Sequence, residues 1–345
     1  MVKKQNNIAR KHHILPRLLL KRFARDDQVW VIDRINQNSY PTNIKNATCV
    51  KDYYMVETTG ELSGDCIEQG PLAKIENLVE PVIDRMLKSW ALPKGENWNI
   101  LVNFLALMYF RGPIFRTILH RGYEYGCGVL EEHIHSSEKK WKAIVGELCQ
   151  MEGIDIDYEK ALSARKELEL HVDIPNTYHV QEILDFASGF VPVFAEMTPN
   201  IERIDGFSDA KFVISDCPIV PIPRSANPPR EWRWFRNPNA NLYFPVSSKV
   251  CLILNYDELR KVTNVNRARV AFVNHVMALN SERVIISEEQ DFVWRRPNGT
   301  IASSHQDLLE FLRQSHGVGC PIARRDWDSL RQRILKALKQ RDTGD

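Results

Sequence analysis

The chain has 345 residues, 43% hydrophobic and 26% charged, which is the usage of an ordinary globular protein and argues against disorder, collagen and coiled coil. That length builds a full core in one large or two fused domains without help from disulfides or metal. Lys+Arg 46 against Asp+Glu 44 leaves a net charge of only +2, so no whole-molecule field directs the protein to nucleic acid or to a membrane.

The first 25 residues carry eight bases and no acid, among them Arg17 and Lys21, so +8 sits on this arm and −6 on the remainder. No apolar signal-peptide region follows the basic start. Pro16 suits the first position of a short helix, with Leu19, Leu20 and Phe23 on its apolar side to about Ala24. Residues 29–32 and the region around Tyr40 predict a two-stranded hairpin. A polar stretch over 57–64 then leads to Gly70-Pro71, a helix start, after which Leu72, Ile75, Leu78, Val79 and Val82 recur at helical spacing.

Residues 97–119 predict an apolar helix interrupted at Arg111-Gly112-Pro113. Its most apolar stretch is 11 residues and contains Asn103. A membrane span needs about 20 apolar residues, so this reads as a buried core helix. Residues 121–200 are mostly helical in pattern. Beyond Phe207 the texture becomes mixed, with strands at 212–214, 250–254 and 284–286, a proline-rich loop at 218–238, and a helix at about 264–280. A last helix, about 327–339, places Trp327, Leu330, Ile334 and Leu338 on one stripe beside many bases.

The expected class is α+β: a small N-terminal β element, a predominantly helical middle and a C-terminal mixed α/β segment. The expected organisation is a basic arm with its His-His motif and hairpin over 1–60, a helical region over 61–205, a mixed segment over 206–300, and a basic helical tail over 301–345. Seven scattered cysteines without a CxxC pair suit a reducing compartment, and a cytoplasmic location is expected.

His12-His13-Ile14-Leu15-Pro16 is the first segment with chemistry in it. Imidazole titrates near neutral pH and ligates metals, so either histidine is a candidate base or ligand. In a strand the two point to opposite faces and in a helix they stand about 100° apart, so one is left for a site and one for packing or a turn before Pro16. The string is similar to the start of HNH-type nuclease motifs, but their later histidine or asparagine has no partner here, the next histidine being His120.

The chain as a whole, from about 10 to 290, resembles the bacterial domain-of-unknown-function 4238 family, whose members begin HHxxPxxxLxxF. Here those residues are His12, His13, Pro16, Leu20 and Phe23. The resemblance continues through Trp30 to Asp33, Tyr53-Tyr54, Glu68, Ile75-Glu76, Arg111 with Pro113 and Arg116, Ser215-Asp216-x-Pro218, and Asn274. It implies an intracellular bacterial protein and no particular reaction. Cys217 departs from the family's expected residue, so a nucleophile there is not a family trait.

Arg111 follows an apolar run, and a buried guanidinium needs a partner, for which Glu68 and Glu76 are available. The pair reads either as a helix-to-helix tie or as a carboxylate–arginine cluster holding phosphate or a metal-bound water. Asp216 at a strand end reads either as a reactive carboxylate or as a turn cap with Ser215. Trp232, Arg233 and Trp234 interleave base and aromatic, as single-strand nucleic-acid binders do, or else anchor the proline-rich loop.

The leading expectation is a metal-dependent phosphodiesterase or nuclease, of defence or toxin type. In it His12 or His13 acts as base, Arg111 and Asp216 complete the catalytic set, and Glu68 and Glu76 with one histidine hold Mg or Mn. RNA or DNA would meet the basic ends, and the last helix could self-associate. The rival expectation is a non-catalytic binding or regulatory module, or a phosphate or nucleotide sensor, in which the same residues form a buried structural network.

Overall fold

The computed structural model describes residues 11–56, 68–146, 149, 151–153, 157–167, 172–204, 208–224, 239–257 and 259–315. Trp232, Arg233, Trp234 and the C-terminal helix expected at 327–339 lie outside the described residues. The described residues form two compact units. One falls within Met1–Phe115 and Asn176–Gly319, and the other within Arg116–Pro175.

The first unit opens with β1 (Lys11–His13), the short helix α1 (Arg17–Leu20) and a 3-10 turn over Lys21–Phe23. Leu18, Leu19, Leu20 and Phe23 are all buried, as the apolar spacing requires. The expected hairpin follows as β2 (Gln28–Asp33) and β3 (Asn38–Asn43). Asp33 shapes its turn by accepting the N–H groups of Ile35 and Asn36. β4 (Cys49–Lys51) then returns to pair antiparallel with β1.

A π-helical turn over Glu68–Leu72 leads into α2 (Ala73–Ser89), with Pro81 inside it. Next comes α3 (Glu96–Phe110). Leu101, Val102, Phe104, Leu105, Ala106, Met108 and Phe110 are buried, because α3 is apolar on nearly every side and packs between other elements. Asn103 is the exception, exposed and bonded to the carbonyl of Asn99. The helical line breaks at Arg111-Gly112 and resumes as α4 (Pro113–Ile134), with proline at its first position.

The second unit carries the remainder of α4, α5 (Glu138–Trp141) with a π-helical turn over Lys142–Gly146, and α6 (Tyr158–Glu167). Trp141 is buried beside Tyr158, with ring centroids 6.1 Å apart.

The chain re-enters the first unit as α7 (Asn176–Ala195), which packs along α3 through Phe110, Phe186 and Phe190. Helix was expected as far as about 200, but it stops at Ala195 and β5 (Thr198–Ile204) begins. In β5, Pro199, Ile201 and Ile204 are buried by neighbouring strands, so tertiary pairing overrides the helical run before it. The strand expected at 212–214 is the shorter β6 (Ile214–Ser215), ended by the Asp216 turn.

β7 (Val220–Pro223), β8 (Ala240–Ser247), β9 (Val250–Asn255) and β10 (Val262–Val265) complete a five-stranded sheet ordered β10-β5-β9-β8-β7. α8 (Arg267–Leu279) starts at an Asn266 cap and delivers β11 (Val284–Ser287). The second sheet is ordered β3-β2-β11-β6, so the N-terminal hairpin is completed by strands from far along the chain. A small hairpin of β12 (Trp294–Arg295) and β13 (Ile301–Ala302), then α9 (His305–Gln314), close the unit. The fold is α+β, as expected. No described helix is long and apolar enough to cross a membrane.

Candidate functional site

The ladder between β1 and β4 sets His12 opposite Val50 and His13 opposite Cys49. Consecutive side chains of a strand point to opposite faces, so the two histidines enter different surroundings.

His12 is fully buried. Its Nδ1 accepts the backbone N–H of Tyr54 at 2.7 Å, which leaves the ring proton on Nε2. Tyr54 is buried beside it, and its hydroxyl accepts from Arg111 Nε at 3.2 Å and donates to the Arg111 carbonyl at 3.3 Å.

Arg111 caps the end of α3 and is 2% exposed. Its Nη1 donates to Glu76 Oε1 at 2.8 Å and its Nη2 to the His13 carbonyl at 2.6 Å. The guanidinium carbon stands 5.5 Å from the centre of the Tyr54 ring. Burial disfavours the charge, but Tyr54 and the Glu76 carboxylate outweigh it and hold Arg111 protonated above its ordinary range. Of the two partners named by the sequence, Glu76 is the one observed. The Glu68 side chain lies outside the described residues.

This cluster ties β1, the β4–α2 connection, α2 and α3 together. Its arginine and one histidine are sealed from solvent, and both are engaged in hydrogen bonds that join these elements. Of the donors expected for a divalent ion, Glu76 Oε1 is engaged by Arg111 and His12 Nδ1 by the Tyr54 N–H. Among the described residues no three His, Cys, Asp or Glu side chains gather to hold a metal.

Asp216 follows β6 and is 1% exposed. Its carboxylate accepts the backbone N–H groups of Glu282, Arg283 and Val284 at 3.0, 2.8 and 3.2 Å. It caps the start of β11, a bond across the fold, whereas Ser215 closes the local turn through Cys217. Burial pushes the Asp216 carboxyl up to about 6. The three N–H groups pull the other way, and Glu282 adds to the rise. Cys217 is buried as well, and burial with the adjacent carboxylates pushes its thiol well up, which disqualifies it as a nucleophile.

The turn at Arg111-Gly112-Pro113 lies directly on this strand end. A Cβ at Gly112 would stand 3.1 Å from the Asp216 carbonyl oxygen, so the close approach favours glycine. Arg111 and Asp216 are thereby neighbours through the backbone while their side chains serve separate fastenings.

Beside them opens a cleft of about 330 Å³, lined by Cys49, Tyr53, Pro113, Asp216, Glu282 and Arg283 among others. Ile35 and Tyr40 on its lining are exposed. Arg283 is turned to Asp33, with its Nη2 2.9 Å from Oδ2. On the cleft side of β1, the His13 Nε2 stands 3.3 Å from Cys49 Sγ. Burial lowers the His13 pKa. A bond to the Ile44 backbone opposes this, and the charges of Arg17 and Arg111 add to the lowering. Arg17 and Lys21 are exposed, as expected of a solvated basic arm.

The sequence pointed to His12, His13, Glu76, Arg111 and Asp216 but missed Tyr54 as the hub, Cys49 as the partner of His13, and the backbone of 282–284. Tyr54 had a signal in the Tyr53-Tyr54 pair. The other two had none, because 36 residues separate Cys49 from His13 and 66 separate Glu282 from Asp216.

A family model described as Protein of unknown function (DUF4238) matches residues 11–291. The chain belongs to the DUF4238 family. The match spans β1 through β11 and so contains the whole cluster and cleft. No curated protein and no solved structure matches the chain.

Proposed function

We propose that this DUF4238 protein is a cytoplasmic binding module. In this reading the His12–Tyr54–Arg111–Glu76 cluster is a structural fastening, and the cleft beside it takes one small ligand. The observation that carries this reading is the sealing of Arg111 at 2% exposure next to an open cleft with a mostly apolar wall. Ile14, Val31, Val50, Pro113 and Val284 supply apolar surface, while Glu282 supplies acid. The one arginine on the lining is paired with Asp33, so the cleft favours a neutral or cationic ligand with an apolar body over a phosphate.

The test is nuclear magnetic resonance titration with phenethylammonium, against phenylpropionate as the anionic counterpart. Saturable shifts with the cation alone are expected, weakened by Ile35→Trp at the exposed rim. Equal binding of the anion, or binding of neither, overturns the reading.

A phosphodiesterase is the second reading, supported by the convergence of His13, Arg111 and Asp216 from remote segments to one neighbourhood. Incubation of labelled RNA and DNA with Mg²⁺, Mn²⁺ or EDTA tests it. Cutting that the His12→Ala/His13→Ala double variant loses while still folded would put this reading first.

A further inference from the structure

Across the β1–β4 ladder a thiol on the cleft wall stands against an imidazole. We propose that Cys49 is a nucleophile and His13 its general base, so that the cleft carries out acyl transfer from a small neutral ester or thioester to water. The proposal takes its substrate class from the reading of the cleft as a small-ligand site.

Two observations support it. The ladder fixes the pair: His13 and Cys49 are directly opposed, and Nε2 reaches Sγ at 3.3 Å. In the tautomer that carries its proton on Nδ1, Nε2 turns its lone pair to the thiol, the nucleophile–base contact of a cysteine hydrolase. Burial and the Arg17 and Arg111 charges keep the imidazole neutral and able to accept at neutral pH.

Access is the second observation. Cys49 is partly exposed on the cleft lining, while Cys217 and Cys251 are buried with thiols pushed well up by burial. Thr48, immediately before it, holds φ at 55°, a left-handed conformation that a β-branched residue rarely adopts. It turns the chain sharply into β4 and brings Cys49 to the cleft. Sγ also lies 3.4 Å from the Lys45 carbonyl, a resting acceptor for the thiol proton that attack must give up in favour of His13.

The step balances without any other reagent. Sγ bonds to the acyl carbon, the carbonyl π pair moves to oxygen, and the thiol proton passes to Nε2. Collapse breaks the bond to the leaving alcohol or thiol, which takes the proton from Nε2. Water then adds to the thioester with His13 accepting its proton, and the C–S bond breaks as Nε2 passes that proton to Sγ, which releases the acid and restores Cys49 and neutral His13.

The first test is alkylation of the full chain by iodoacetamide, followed site by site with peptide mass spectrometry. Cys49 is expected to react at least about 10-fold faster than Cys127 and Cys149, with an apparent pKa below the roughly 8.5 of a free thiol. His13→Gln should remove that advantage while leaving the melting temperature close to wild type. The second test is p-nitrophenyl butyrate turnover, with an acyl adduct trapped on Cys49 and lost in Cys49→Ser.

Ordinary thiol kinetics at Cys49 in the wild type, or unchanged kinetics in folded His13→Gln, overturns the dyad, and the wild-type pH profile decides the matter even if the variant does not fold. Phenethylammonium separates the two proposals. Fast alkylation that it does not slow supports the dyad and refutes the ligand site, whereas saturable binding beside a sluggish Cys49 does the reverse.

Discussion

The two faces of β1 differ by a single residue in sequence and by nearly everything in chemistry. On one face His12 accepts a backbone N–H, Tyr54 joins it to Arg111, and the assembly is closed to water. On the other face His13 meets a thiol at the wall of a cleft. The difference teaches that adjacent, chemically identical side chains acquire their roles from strand alternation. Polar groups on the closed face must all be matched, because each unmet one costs stability. On the open face the same imidazole meets the Cys49 thiol.

Substitutions should separate the faces by their cost. The largest effect is expected at Arg111→Ala, which strands the Glu76 carboxylate and the His13 carbonyl. The loss is about 3–5 kcal/mol, read as a lower denaturant midpoint. A double-mutant cycle of Arg111→Met with Glu76→Gln sharpens the point: the pair together should cost less than the sum of the two single changes. His12→Ala comes next, at about 2–3 kcal/mol, since it opens a cavity and leaves the Tyr54 N–H without its acceptor. His13→Gln on the open face is expected to cost under about 1 kcal/mol by the same measurement. If the two histidine variants are equally destabilised, the contrast between the faces fails.

Asp216 adds a dependence on pH. Its folded carboxyl titrates near 6, above an ordinary value near 3.8, so the folded state holds the proton more tightly than the unfolded chain. The stability this contributes is complete below the unfolded pKa and is lost as pH rises through about 6. Urea midpoints should therefore fall between about pH 4 and about pH 7, and Asp216→Asn should flatten that slope. A wild-type slope of the opposite sign would mean that the three N–H groups outweigh burial.

A small effect is also expected at Gly112→Ala. Its Cβ meets the Asp216 carbonyl at 3.1 Å, so a few tenths of an ångström of backbone movement is needed, at a cost of about 1 kcal/mol. Thermal unfolding measures it, and an unchanged midpoint would show that the turn yields freely.

Much of the fold was legible in the residues. The apolar run of α3, the Gly70-Pro71 start before α2, the 29–32 strand with its partner at Tyr40, and α8 all follow local periodicity. The need of Arg111 for a carboxylate was legible too, since a guanidinium after an apolar run must be paired. β5 was not, because seven residues after a long helix carry no period distinct enough to announce a strand whose partners come from β9 and β10. Nor was the use of Asp216, whose local turn signal is real but whose carboxylate is taken by 282–284.

The sequence by itself determined the class of fold, the burial of α3, the opposite facing of His12 and His13 in a strand, and the demand of Arg111 for Glu68 or Glu76. Only the tertiary structure decided that Glu76 pairs with Arg111, that Tyr54 joins His12 to Arg111, that Cys49 stands opposite His13, and that the described donors gather no metal set. The physical reason is separation along the chain. Helical periodicity and capping act over a few residues, while β1 and β4 are three residues each and take their register from long-range pairing. That register alone decides which side chains meet.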